Sequence, residues 1–128
     1  MSEYNYKKIL IVEDDMFVRK LYRDQFLKEG FLFIEATNGI EGLDRALSEK
    51  PDLILLDLML PRKSGFDVLR DLKKNDETKN IPVIILSNLG QESDVDEVLS
   101  LGATDYFIKS GVRLSEVVNR VKAIIHVQ

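Results

Sequence analysis

Six side chains in this sequence have the types and positions for joint chemistry: Glu13, Asp14, Asp15, Asp57, Ser87 and Lys109. Each stands at the end of an apolar run. Glu13-Asp14-Asp15 follows Ile9-Leu10-Ile11-Val12, Asp57 follows Leu53-Ile54-Leu55-Leu56, Ser87 follows Val83-Ile84-Ile85-Leu86, and Lys109 follows Tyr106-Phe107-Ile108. Clustered carboxylates repel one another and are relieved by a hard divalent cation. Magnesium keeps several waters and takes one or two carboxylates together with phosphate oxygens. A carboxylate held beside such a metal can attack phosphorus and become an aspartyl phosphate. The group in flight is loose and electron-rich, so it needs in-line positioning and cations around its oxygens. The metal and Lys109 would supply that charge, and the Ser87 hydroxyl could bond a phosphoryl oxygen of the product.

Each residue also has a plainer reading. The acidic triplet could be a solvated turn that caps a helix and favours its dipole. Asp57 could serve a turn, although an unpaired charge directly after an apolar run is costly to bury. Lys109 could be a surface lysine or the ion partner of Asp57, and Ser at a strand end is common. The constellation outweighs its members only if the fold brings them to one edge.

The apolar runs are continuous rather than alternating, as in strands buried on both faces of a parallel sheet. Leu32-Phe33-Ile34 adds a further run. Between the runs the period changes to that of helices. Val18, Leu21, Tyr22 and Phe26 mark the first, ended near Gly30. Gly42, Leu43, Ala46 and Leu47 mark the second, entered at Asn38-Gly39 and closed before Pro51. Phe66, Leu69 and Leu72 mark the third, with Ser64 as N-cap. Val95, Val98, Leu99 and Leu101 mark the fourth, ended by Gly102, and Leu114, Val117, Val118, Val121, Ile124 and Ile125 the fifth. Five βα units with short crossovers predict right-handed connections and one doubly wound parallel α/β sheet. Ligands of such sheets bind beyond the carboxyl ends of the strands, where the six residues fall.

Length and composition agree with one compact domain over residues 1–128. Apolar residues make up 45% and charged residues 31%, an ordinary globular balance. The net charge of -4 argues against direct nucleic-acid binding, which favours basic surfaces. The absence of cysteine excludes disulfides, thiolate metal sites and cysteine catalysis. No run reaches the length of a membrane span, and the polar N-terminus lacks a signal-peptide core, so a cytoplasmic location is expected.

The whole chain resembles the receiver domains of two-component response regulators. The resemblance rests on Ile9 to Asp15, on Pro51-Asp52-Leu53-Ile54-Leu55-Leu56-Asp57-Leu58-Met59-Leu60-Pro61 with Gly65, on Val83 to Ser87, and on Gly102-Ala103-Thr104-Asp105-Tyr106-Phe107-Ile108-Lys109. It implies a flavodoxin-like (βα)5 domain with strand order 2-1-3-4-5. It implies Asp57 as phosphoacceptor for a sensor histidine kinase or phosphotransfer protein. Mg²⁺ (Mn²⁺ could substitute) would be held by Asp14, by Glu13 through water, by Asp57 and by the Met59 backbone carbonyl. Asp15 is usually peripheral in the family, and the register that pairs Asp14 with Asp15 stays open. Ser87 and Lys109 would bind the phosphoryl group, and Tyr106 would be the aromatic that turns inward with Ser87. Phosphorylation adds about -1.5 to -2 charges and would reshape the face of the fourth helix, fifth strand and fifth helix for an unidentified downstream partner or a second copy of the chain. No output domain is expected after the fifth helix in this sequence, which is compatible with a stand-alone regulator, a phosphorelay shuttle or a piece of a longer regulator.

Two positions depart from the family pattern. Ser110 stands where a proline after a cis bond is usual. A cis bond before a non-proline costs roughly 2.5–4 kcal/mol, so a trans path is expected. Asn88 stands where a small residue is usual, at the mouth of the site. Met59 and Leu89 are apolar and would exclude attacking water, which predicts a long-lived phosphoryl state. Three rivals are weaker. A haloacid-dehalogenase-like phosphatase wants a second Asp where Met59 stands. A nucleotide-binding module wants a glycine-rich phosphate loop that is not here. A degenerate scaffold receiver would not need the full Glu13, Asp14, Asp57, Ser87 and Lys109 set. His126, the sole histidine, is read as a favourable cation at a helix C-terminus rather than a relay residue.

Overall fold

A computed structural model describes residues 7–125. In chain order the elements are β1 (Lys8–Val12), α1 (Met16–Lys28), β2 (Leu32–Ala36), α2 (Gly39–Glu49), β3 (Leu53–Leu56), α3 (Gly65–Lys74), β4 (Val83–Ser87), α4 (Glu92–Ser100), β5 (Asp105–Ile108) and α5 (Leu114–Ile125). The strands form one sheet in the order β2-β1-β3-β4-β5, and every pairing is parallel. The flavodoxin-like order expected from the resemblance is the one found.

Two cores flank the sheet because successive side chains on a strand face opposite ways. Ile9, Ile11, Leu53, Leu55, Ile84 and Leu86 pack with Tyr22 and Phe26 of α1 and with Val117, Val118 and Val121 of α5. Leu10, Val12, Ile54, Leu56, Val83 and Ile85 pack with Ala46 of α2, Val68, Leu69 and Leu72 of α3 and Val98 of α4. The three central strands are buried throughout their apolar lengths, which explains their continuous composition. The edge strands β2 and β5 are only partly buried.

Local signals set the helix starts. Asp15 caps α1, its Oδ1 accepting from the Phe17 and Val18 amides at 2.8 and 3.3 Å. Asn38 caps α2 and Ser64 caps α3 in the same way. Gly30 and Gly102, just past α1 and α4, adopt positive φ of 97° and 108°. Three expectations need correction. The apolar spacing puts Leu21 on the buried stripe of α1 and Leu99 on that of α4, yet they are 54% and 45% exposed, because the inward faces turn on Tyr22 and Phe26 and on Val98. Leu101 lies just beyond α4 as its C-cap rather than within it. His126 lies outside the described residues.

The turn after β3 has little room. The Gly65 amide donates to the Leu58 carbonyl at 2.9 Å, and a Cβ on Gly65 would meet the Asp57 carbonyl oxygen at 2.1 Å and Leu58 Cα at 2.5 Å. Both are backbone atoms that cannot yield cheaply. Gly65→Ala is therefore expected to lower stability by about 2 kcal/mol or more. Urea unfolding of the two proteins checks it.

Candidate functional site

The site forms where backbone pairing runs past the strand ends. The Glu13 amide donates to the Ala36 carbonyl at 3.0 Å, and the Asp57 amide to the Val12 carbonyl at 3.1 Å. These bonds fix two acidic residues just past the ends of adjacent strands at the same edge. Asp57 is 4% exposed and Glu13 is 1% exposed, while Asp14 faces solvent. One carboxylate oxygen from each of Glu13, Asp14 and Asp57 lies within 4.8 Å of the others. Asp15 is turned to the helix cap instead, and its amide donates to Glu13 Oε2 at 3.0 Å.

Lys109 reaches across from the end of β5. Its Nζ lies 2.7 Å from Asp57 Oδ2, to which it donates, and 2.6 Å from Glu13 Oε1. Burial alone would pull the Lys109 pKa down, but the hydrogen bonds and charges of Asp57 and Glu13 outweigh it and hold the ammonium above its ordinary value. Burial pushes the Glu13 carboxyl up, partly offset by Lys109 and the Asp15 amide. Asp57 Oδ1 accepts from the Met59 amide at 3.1 Å, which fixes the carboxylate plane.

The remaining expected residues surround this trio. Ser87 is fully buried at the end of β4, its Oγ 3.4 Å from the Leu89 amide. Tyr106 is half-buried, and its hydroxyl donates to the Leu89 carbonyl in the loop after β4. Burial raises its pKa, with Asp94 and Asp57 adding to the effect. Met59 stands 59% exposed at the rim, and Leu89 is half-buried. No described peptide bond is cis, so Lys109–Ser110 takes the expected trans path.

Two contributors were missed by sequence reasoning. Arg19 Nη1 donates to the Glu13 carbonyl at 2.9 Å, while its Nε pairs with Glu35 of β2 at 3.2 Å. The Glu35 half of this brace has no local spacing signal, because it depends on β2 lying beside β1. The second is a bond from the Ser110 amide to Asn88 Oδ1 at 2.9 Å. Both partners were visible as departures, but their mutual contact needed the β4–β5 pairing.

The profile of the response regulator receiver domain matches residues 9–122, nearly the whole chain. The chain belongs to this family. Among relatives of the receiver domain, the polar-differentiation response regulator DivK of Brucella anthropi is 34% identical over 119 residues, covering 93% of this chain and 96% of DivK. Sporulation initiation phosphotransferase F of Bacillus subtilis is 41% identical over 103 residues, covering 80% of this chain and 82% of that protein. The chain also matches half the length of the transcriptional regulatory protein ResD of Bacillus subtilis, at 38% identity. Among solved structures, the receiver domain of Francisella response regulator 1452 superposes with a TM-score of 0.85 at 30% identity, covering 92% of this chain and 95% of that one. A chain of the CheX–CheY–BeF3–Mg²⁺ complex from Borrelia burgdorferi gives 0.87 at 28% identity over the full length of both chains.

In this receiver domain Lys109 compensates two buried carboxylates at once. Lys109→Met leaves both without a cation. It is expected to cost about 2–3 kcal/mol, less than a deeply buried pair because Lys109 keeps 18% exposure. Adding Asp57→Asn removes one of the stranded charges and should recover about 1 kcal/mol. Denaturant unfolding of both variants at neutral pH checks the sign and the partial recovery.

Proposed function

We propose that this receiver domain accepts a phosphoryl group on Asp57 in a two-component phosphorelay. The observation that carries the reading is the contact of the Lys109 ammonium with Asp57 and Glu13 beside the Asp14 carboxylate. Three oxygen-only donors in close reach, one of them open to solvent, suit a hard cation that keeps some of its water. Glu13, Asp14, Asp57 and the Met59 carbonyl would hold Mg²⁺. Mg²⁺ bound there would neutralise phosphoryl oxygens during transfer.

An Asp57 carboxylate oxygen attacks phosphorus in line, the donor's P–N bond breaks, and the electron pair leaves with the histidine imidazole, which takes up a proton. Lys109 lies against the nucleophile and can bond an oxygen of the incoming group. Ser87, one strand away, supplies the hydroxyl that meets the product. The added charge draws Ser87 and Lys109 inward, and Tyr106 follows through its bond to the Leu89 carbonyl in the same loop. The face of α4, β5 and α5 then changes its affinity for a downstream protein or a second copy. The donor is a sensor histidine kinase or a phosphotransfer protein. The domain promotes its own phosphorylation and dephosphorylation and does not turn over an external ester, since Met59 offers no general acid. Met59 and Leu89 shield the product from water.

Intact mass after incubation with acetyl phosphate tests the assignment. The wild type should gain one phosphoryl group only with Mg²⁺, and Asp57→Asn should gain none. A wild type that gains nothing, or an Asp57→Asn variant that is still modified, overturns it.

A further inference from the structure

Asn88 and Ser110 are the two positions where this chain departs from the usual receiver pattern, and they are hydrogen-bonded to each other. The β4–β5 ladder ends with the Lys109 amide donating to the Ser87 carbonyl at 2.9 Å. One residue further on, Asn88 Oδ1 takes the place of a strand carbonyl and accepts from the Ser110 amide at 2.9 Å. The backbone of Lys109 is thus tied to the end of β4 on both sides. A proline at position 110 would have no amide to give. The side-chain rung exists only because both departures occur together.

We propose that Asn88 is a positioning residue that clamps Lys109 against Asp57 and binds the Ser87 and Lys109 loops into one moving unit. The inference rests on the receiver reading and deepens it. The Lys109 ammonium lies at the end of a long flexible stem, and side chains of that kind lose much freedom when fixed. Two rungs on its backbone remove one source of that freedom. Beyond Ser110 the backbone turns back on its own strand: the Gly111 and Val112 amides donate to the Ile108 carbonyl at 3.1 and 3.0 Å. A Cβ on Gly111 would meet nothing within 4 Å. The Ser110 amide therefore makes the outermost bond between this loop and the β4 side. With the rung broken, Lys109 spends more time away from Asp57, and the Ser87 loop moves independently of it.

The test is a double-mutant cycle on the intact chain. Asn88→Leu keeps the side-chain size but lacks the acceptor, and Ser110→Pro lacks the donor. The rate of Asp57 phosphorylation by acetyl phosphate with Mg²⁺ is measured by intact mass for all four proteins. A neutral hydrogen bond of ordinary strength predicts that Asn88→Leu slows phosphorylation about three- to tenfold in the wild-type background. In the Ser110→Pro background the same change should alter the rate less than about twofold, because the rung is already absent there and only the altered side chain at the mouth remains. Amide exchange adds a readout at the rung itself: the Ser110 amide should exchange faster in Asn88→Leu, and the Lys109 ammonium resonance should broaden. Equal slowing in both backgrounds, or unchanged Ser110 exchange, overturns the clamp. A wild type that is never phosphorylated overturns the receiver reading instead, whatever the exchange data show.

Discussion

Everything at this sheet edge depends on one ammonium held between two buried carboxylates. Glu13 and Asp57 have almost no contact with water, and Asp14 stands within a few ångströms of both. Like charges this close could not share an apolar edge without a cation. Lys109 supplies it from the far side of β4, and the strand order makes the reach workable. Glu13 and Asp57 follow the neighbouring strands β1 and β3, Ser87 ends β4, and Lys109 follows β5. A carboxylate on β2 would be too far away on the other side. The topology therefore selects which strand ends can take part.

The same contact explains why the site is poised rather than settled. One ammonium touches two members of a three-carboxylate group but offsets only one charge, which leaves the group net negative, with Asp14 facing solvent. On the proposed function that remainder would attract a second cation, and a phosphoryl group arriving with its own charge would be tolerated only once that cation is bound. The loops after β4 and β5 share bonds that would carry the response. The Lys109 amide meets the Ser87 carbonyl, the Ser110 amide meets Asn88, and the Tyr106 hydroxyl meets the Leu89 carbonyl. These bonds would carry a pull on Ser87 or Lys109 to Tyr106 and the loop after β4.

Much of this is legible in the sequence. The central strands stand out because burial on both faces demands uninterrupted apolar residues, and the site residues stand out because polar groups end those runs. Asn38 and Ser64 mark helix starts through ordinary capping chemistry. The acidic triplet is ambiguous, since an aspartate that caps a helix and one that faces a cation look alike in a sequence. The structure separates them by direction, with Asp15 turned to the α1 amides and Asp14 to the acidic group. Leu21 misleads because a helical stripe allows more than one inward face. The Arg19–Glu35 half of the brace and the Asn88–Ser110 rung are hidden, as both join residues that meet only through sheet pairing. The family resemblance supplies roles, but neither contact follows from it.

On the proposed function Lys109 and a divalent cation would draw on the same carboxylates, Glu13 and Asp57, before any phosphoryl group arrives. Calorimetric titration of Mg²⁺ into the wild type and Lys109→Met tests this competition most directly. At an effective dielectric of ~20, a unit charge a few ångströms from the metal is worth more than 1 kcal/mol. The wild type should bind Mg²⁺, and Lys109→Met should bind it about tenfold more tightly. No binding by the wild type, or unchanged or weaker binding by the folded variant, would contradict the competition.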